Sequence, residues 1–341
     1  MLYQPSAIEL EWTAPQLGST ILEEGICKVA LRRSQMSAVA DWLTFAEISR
    51  GQQLRAPTHN ESVAVSTFVR RDGCKEYIEP LTGIARHPLS ARVGCALQQS
   101  FTRMPVSRRQ PLGFERPAPG PPGKYHLGYL ILANHCGAAD GSFCAQSRAY
   151  HSRGRNLLYD LGCSLFGSPM TRSDALYLGN AHTSSLQHFL ALYGQNCIDF
   201  DSIWAWEAEV TKPDVWWKPV PPTVRAKMHF YNVFLKDPSD FTAVLNATAR
   251  PEDHVVVKLD IDAPELEKAI VDIILADPLL LGLIDEFFFE YHFHMDNPNG
   301  PWGATQTQNK TGRNWVPDTV DVALATMQRL RRAGVRAHFW I

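Results

Sequence analysis

From residue 156 onward the chain alternates short strand-like runs with helical stretches, and this alternation restricts the fold more than any other feature. The strand-like runs are NLLYDLG (156–162), DSIWAWEA (201–208), MHFYNVFL (228–235), DHVVVKLDID (253–262), DEFFFEYHFH (285–294) and VRAHFWI (335–341). They are rich in β-branched and aromatic residues, which suit a pleated, buried surface. Between them, SSLQHFLALYG (184–194), PELEKAIVDIIL (264–275) and DTVDVALATMQRLRRAG (318–334) carry apolar residues at helical spacing. Pro264 sits where a helix first turn tolerates proline. The last helix has an acidic start, a basic end and a terminal Gly334. Strand–helix alternation predicts an α/β fold: a Rossmann-like, mostly parallel sheet with helices on both faces.

The N-terminal half reads differently. Ser37–Ile48 has helical spacing, 105–124 is punctuated by six prolines, and 125–150 returns to an apolar pattern that predicts a helix. This half is expected to be a mixed or helical extension. The expected division is 1–124, a substrate or lid region with the proline-rich loop, and 125–341, the α/β domain. Residues 1–155 carry 18 basic and 12 acidic side chains, a net of +6; residues 156–341 carry 15 and 23, a net of −8. Opposite charge suits two surfaces that pack together. The whole chain is close to neutral at −2, which disfavours an electrostatic grip on nucleic acid.

No run of ~18 apolar residues is present, so no membrane span is expected. The N-terminus lacks the basic and apolar sections of a signal peptide. The seven cysteines form no C-x-x-C pair. The expected compartment is cytoplasmic and reducing, and the sequons at Asn60, Asn246 and Asn309 are the argument for a secretory lumen.

Four clusters carry chemistry, each at the carboxyl end of an expected strand. Asp160 to Gly167 (DLGCSLFG) joins an acid to glycines that let backbone turn sharply near a ligand; it also reads as a plain turn. Glu207 ends the second strand, where a carboxylate can accept ribose hydroxyls or simply face water. Asp260 and Asp262 alternate along VVVKLDID, so they share a face if the strand continues through them. They could hold a hard cation or orient a substrate, and Asp262 is also a candidate N-cap for the following helix. Glu290, His292 and His294 alternate in EYHFH, a pattern that suits metal ligation, base catalysis or a polar sheet edge.

The runs YDLGCSLFG (159–167), WAWEAE (204–209), YNVFLKD (231–237), VVVKLDIDAPELE (255–267) and FFFEYHFH (287–294) together resemble the class I S-adenosylmethionine-dependent methyltransferases, and within them the FkbM-like group. The resemblance spans roughly residues 155–341. It implies that S-adenosyl-L-methionine is the cofactor, with Asp160, Gly162, Cys163 and Gly167 around its methionine portion. It implies that Glu207 takes the ribose and that Asn232 to Asp237 lie near the adenine. The departures are Cys163 and Ser164 where the family loop has a glycine or asparagine, and Asp262-Ala-Pro where it often has Glu-Gly. The chain also stops at VRAHFWI, before the family's last antiparallel strand.

The expected function is methyl transfer to oxygen, on a hydroxyl or carboxyl group of a small molecule or glycan. Asp260, Asp262 and His292 are the expected catalytic residues, with His292 as base because imidazole titrates near ~6.5. No metal is expected, and His294 is secondary. The alternatives are a metal-dependent glycosyltransferase using Asp260-Ile-Asp262 as a D-x-D element, and an inactive binding module of the same fold.

Overall fold

A computed structural model of the chain describes residues 2–13, 66–69, 75–78, 81, 154–163, 166, 184–195, 198–208, 212–291, 318 and 320–340. The N-terminal elements are β1 (Leu2–Gln4), α1 (Ala7–Trp12), β2 (Ser66–Val69) and β3 (Lys75–Ile78). The α/β part begins with β4 (Asn156–Leu161), α2 (Ser185–Gln195), β5 (Ser202–Trp206), α3 (Pro213–Trp217), α4 (Pro222–Arg225) and β6 (Met228–Tyr231). It continues with α5 (Ser239–Thr248), β7 (His254–Leu259), α6 (Pro264–Ala276), α7 (Pro278–Leu281), β8 (Glu286–Phe289), α8 (Val320–Arg332) and β9 (Arg336–Phe339).

The six strands β4 to β9 form one sheet in the order β6-β5-β4-β7-β8-β9, and every pairing is parallel. Counted from β4, this is the doubly wound order 3-2-1-4-5-6. The chain leaves β4 in one direction, through β5 to β6, and then returns to β7 on its other side. The switch point therefore lies between β4 and β7, where open α/β sheets bind ligands beyond the carboxyl ends.

Both central strands are buried along their whole length, as strands covered on two faces must be. Alternate residues feed two cores. Leu157, Tyr159, Val255, Val257, Phe287 and Phe289 pack with Leu245 of α5, Ile270 of α6 and Leu330 of α8. Leu158, Ala205, Val256 and Phe288 pack on the other face with Phe189 of α2 and Trp216 of α3. Trp216 stacks on Phe230 at 3.9 Å and is fully buried, which makes the Trp216–Trp217 pair chiefly a core feature.

All six strands are shorter than the sequence runs, three of them markedly. MHFYNVFL pairs only to Tyr231, because Trp206 is the last residue of β5 to face it. DHVVVKLDID stops pairing at Leu259, opposite the ends of β4 and β8. DEFFFEYHFH pairs to Phe289, where β9 also ends. Asp260 and Asp262 thus stand beyond the strand rather than alternating along it.

Residues of the N-terminal half form a separate antiparallel sheet in the order β1-β2-β3. They do not complete the parallel sheet. Ser6 caps α1 by accepting the Glu9 N–H at 3.1 Å. Glu9 is buried, and its Oε2 receives the Tyr3 hydroxyl, the Ser66 hydroxyl at 2.9 Å and Arg331 Nη1 at 3.3 Å. Gln328 of α8 donates to Thr13 at 3.1 Å. Trp12 and Leu81 enter the same core as the sheet. Since α8 links two parallel strands, it runs against them, and its last turns lie toward their amino ends. The described N-terminal residues are anchored there. The helices expected at 37–48 and 125–150, and the proline-rich loop, lie outside the described residues.

Candidate functional site

Strand β4 ends in a turn built on Gly162. Its φ is +83°, and a Cβ placed there would come within 1.6 Å of the Asp260 carbonyl oxygen. Only glycine fits, because both the conformation and the space exclude a side chain. The turn is tied to β5: the Trp206 carbonyl accepts Gly162 N–H at 2.9 Å and Cys163 N–H at 3.0 Å. Cys163 points into the core on the α2 face and is fully buried. Burial, reinforced by Asp160 and Glu207, pushes its thiol well above the ordinary value, so it stays protonated and fills space. The Asp160 carboxylate is also fully buried, beneath the turn. Ser185 Oγ donates to it at 3.3 Å and Lys258 Nζ stands 3.4 Å away. Burial raises its pKa and Lys258 opposes the rise.

Glu207 follows β5, with its N–H donated to the Tyr231 carbonyl at 3.1 Å and its side chain half-buried. Its charge is felt by the Cys163 thiol, so the first and second strand ends are neighbours here. Asn232, half-buried, follows β6. Asp237 has another occupation: its exposed carboxylate accepts the Ser239 N–H at 2.8 Å at the start of α5, and hydrogen bonds from Ser239 lower its pKa.

Beyond β7 the chain turns through Asp260, Ile261 and Asp262. Asp262 has φ +53°, a left-handed conformation that aspartate tolerates better than most residues. The helix that follows is capped by Ala263 with no side-chain hydrogen bond, so Asp262 is not its N-cap. The turn brings Asp260, Asp262 and Glu290 together, with one carboxylate oxygen of each within 4.8 Å of the others. Trp340 Nε1 donates to Asp260 Oδ2 at 2.9 Å, and Lys258 Nζ lies 3.2 Å from the same oxygen.

Three residues here carry no assigned role in the sequence reading, although Lys258-Leu-Asp260 is the most distinctive part of the family resemblance. Lys258 is fully buried between Asp160 and Asp260; its signal was a charge inside an apolar run. Glu267, in the first turns of α6, accepts the Ile261 N–H at 2.7 Å and pins the turn. Its burial, with the Asp260 and Asp262 charges, raises its pKa to about 8. Trp340 directly follows the last strand, 80 residues from the aspartate it contacts. Gly167, His292 and His294 lie outside the described residues.

The structure therefore collects Asp160, Gly162, Cys163, Glu207, Asp260 and Asp262 at one edge of the sheet, adds Glu290, and leaves Asp237 engaged in a local turn. The edge is rich in carboxylates. Such a surface accepts hydrogen bonds from ammonium and hydroxyl groups, or holds a hard cation. It repels a bare diphosphate unless a cation stands between. Among the described residues, no helix is long and apolar enough to cross a membrane. Comparison with known proteins adds no relative: no family model matches the chain, and neither a curated protein nor a solved structure matches it.

Proposed function

We propose that the chain is an S-adenosyl-L-methionine-dependent methyltransferase acting on a hydroxyl of a small molecule or glycan. The observation that carries this reading is the pairing of the Gly162 turn with Glu207 at the adjacent ends of β4 and β5. Glycine lets a ligand approach the backbone, and the neighbouring carboxylate suits the two hydroxyls of a ribose. A carboxylate-rich edge also suits a donor that carries ammonium and sulfonium charges. In the transfer, the acceptor oxygen bonds to the methyl carbon as the carbon–sulfur bond breaks, and the electron pair stays on sulfur. The hydroxyl proton passes to a base, the role assigned to His292, with Asp260 and Asp262 orienting the acceptor. The chain's main work is to hold donor and acceptor in line. The reading is tested by thermal shift of the full chain. S-adenosylhomocysteine should raise the melting temperature, because a ligand selective for the native state stabilises it; no rise at saturating ligand counts against the proposal.

A second reading has its own support. Asp260, Asp262 and Glu290 form a competent oxygen set for a divalent cation, which favours the metal-dependent glycosyltransferase. In that case Mn²⁺ with a nucleotide sugar should raise the melting temperature, and S-adenosylhomocysteine should not.

A further inference from the structure

Lys258 belongs to β7, and about 1% of its side chain is exposed. An ammonium so deeply buried is costly, and apolar residues of similar volume in place of it and its acidic partners would stabilise the sheet about as well. What an apolar residue cannot do is hold the Gly162 turn. Lys258 Nζ donates to the Gly162 carbonyl at 2.6 Å and lies 3.4 Å from the Leu161 carbonyl. Asp160 at 3.4 Å and Asp260 at 3.2 Å balance its charge, and the Trp340 ring covers it at 5.9 Å. The turn is thus gripped from two sides. Trp206 of β5 takes its N–H groups and Lys258 of β7 takes its carbonyl.

We propose that Lys258 is a positioning residue for the donor: it sets the Gly162 turn against the methionine end of the ligand without touching the ligand itself. This rests on the methyltransferase reading above. It separates the donor into two parts. The methionine end depends on the turn and hence on Lys258; the nucleoside end depends on Glu207 and does not.

The test compares Asp160→Asn with Asp160→Asn/Lys258→Met in the full chain. Asp160→Asn takes the formal charge of the Asp160–Lys258–Asp260 group from −1 to 0 and the double change returns it to −1, so the double variant is also read against the unaltered chain, from which it differs in the tie at equal charge. Calorimetry is run with S-adenosylhomocysteine and with 5′-methylthioadenosine, which lacks the amino-acid portion. Adding Lys258→Met should weaken S-adenosylhomocysteine about tenfold, the size of one hydrogen bond to a charged group, and change 5′-methylthioadenosine by less than about twofold. Equal losses for both ligands, or no loss for either, would overturn the role. If the double variant does not fold, Lys258→Gln alone carries the same comparison: a fall in the affinity ratio of the two ligands supports the role, and an unchanged ratio overturns it. Failure of the unaltered chain to bind S-adenosylhomocysteine overturns the methyltransferase reading and the lysine's role together. Binding with an unchanged ratio overturns the lysine's role alone.

Discussion

Gly162 is the residue on which the carboxyl edge turns. A methyl group there would overlap the Asp260 carbonyl and demand a left-handed backbone. Gly162→Ala should lower stability by more than about 2 kcal/mol, read from urea unfolding, because strain and overpacking act together. Glu267 makes a different kind of prediction. Its pKa is raised by burial and by the neighbouring aspartates to about 8, above the ordinary carboxyl value of 4.5. A carboxyl raised in the folded state contributes stability that is fully present below about pH 4.5 and is lost as pH rises toward about 8. Glu267→Gln keeps the oxygen that accepts Ile261 and removes the titration. The variant should match the unaltered chain near pH 5 and exceed it at pH 8 by an amount on the order of a few kcal/mol. Parallel stability–pH curves for the two proteins would show that Glu267 does not titrate in this range. Glu286 shifts the other way. Burial pushes its pKa up, but Arg336 at 2.7 Å, His254 and Tyr193 hold it below the usual range. Its contribution is present above about pH 4.5 and is lost as pH falls through the depressed value, so acid unfolding should begin earlier in Arg336→Met.

At the scale of elements, the strands were legible because their apolar runs are short, β-branched and bounded by turn residues. Their ends were not. Where VVVKLDID stops being a strand depends on β4 and β8 ending beside it, which no local pattern records. The same limit hid Glu267 and Trp340, whose partners are set by the path of the chain around Asp260. The Gly162 turn and Glu207 were legible because both lie at the ends of short apolar runs. The N-terminal clip on α8 was not, since Glu9, Ser66 and Arg331 share no sequence neighbourhood. The Glu9–Arg331 pair is buried on both sides, at 0% and 1% exposure. Removing one member strands the other charge, so Arg331→Ala should cost about 3–5 kcal/mol in thermal or urea unfolding. A loss below about 1 kcal/mol would mean that the N-terminal segment is not tied to α8 as the structure has it.

At the scale of the whole molecule, a parallel sheet in the order 3-2-1-4-5-6 places its switch point between β4 and β7. The first two strands of that order present the Gly162 turn and Glu207; the fourth and fifth present Asp260, Asp262 and Glu290. Donor and acceptor would meet between these two groups, which gives the methyltransferase reading its shape. Metal dependence separates it from the glycosyltransferase reading: once an acceptor is in hand, methyl transfer should survive EDTA. The most direct measurement is calorimetry of S-adenosylmethionine binding to the full chain and to a folded Glu207→Ala variant. The unaltered chain should bind one equivalent, and the variant should bind more weakly by about 1.5–3 kcal/mol, the range for hydrogen bonds to a charged group. Absence of binding to the unaltered chain, or equal affinity of the two proteins, would contradict it.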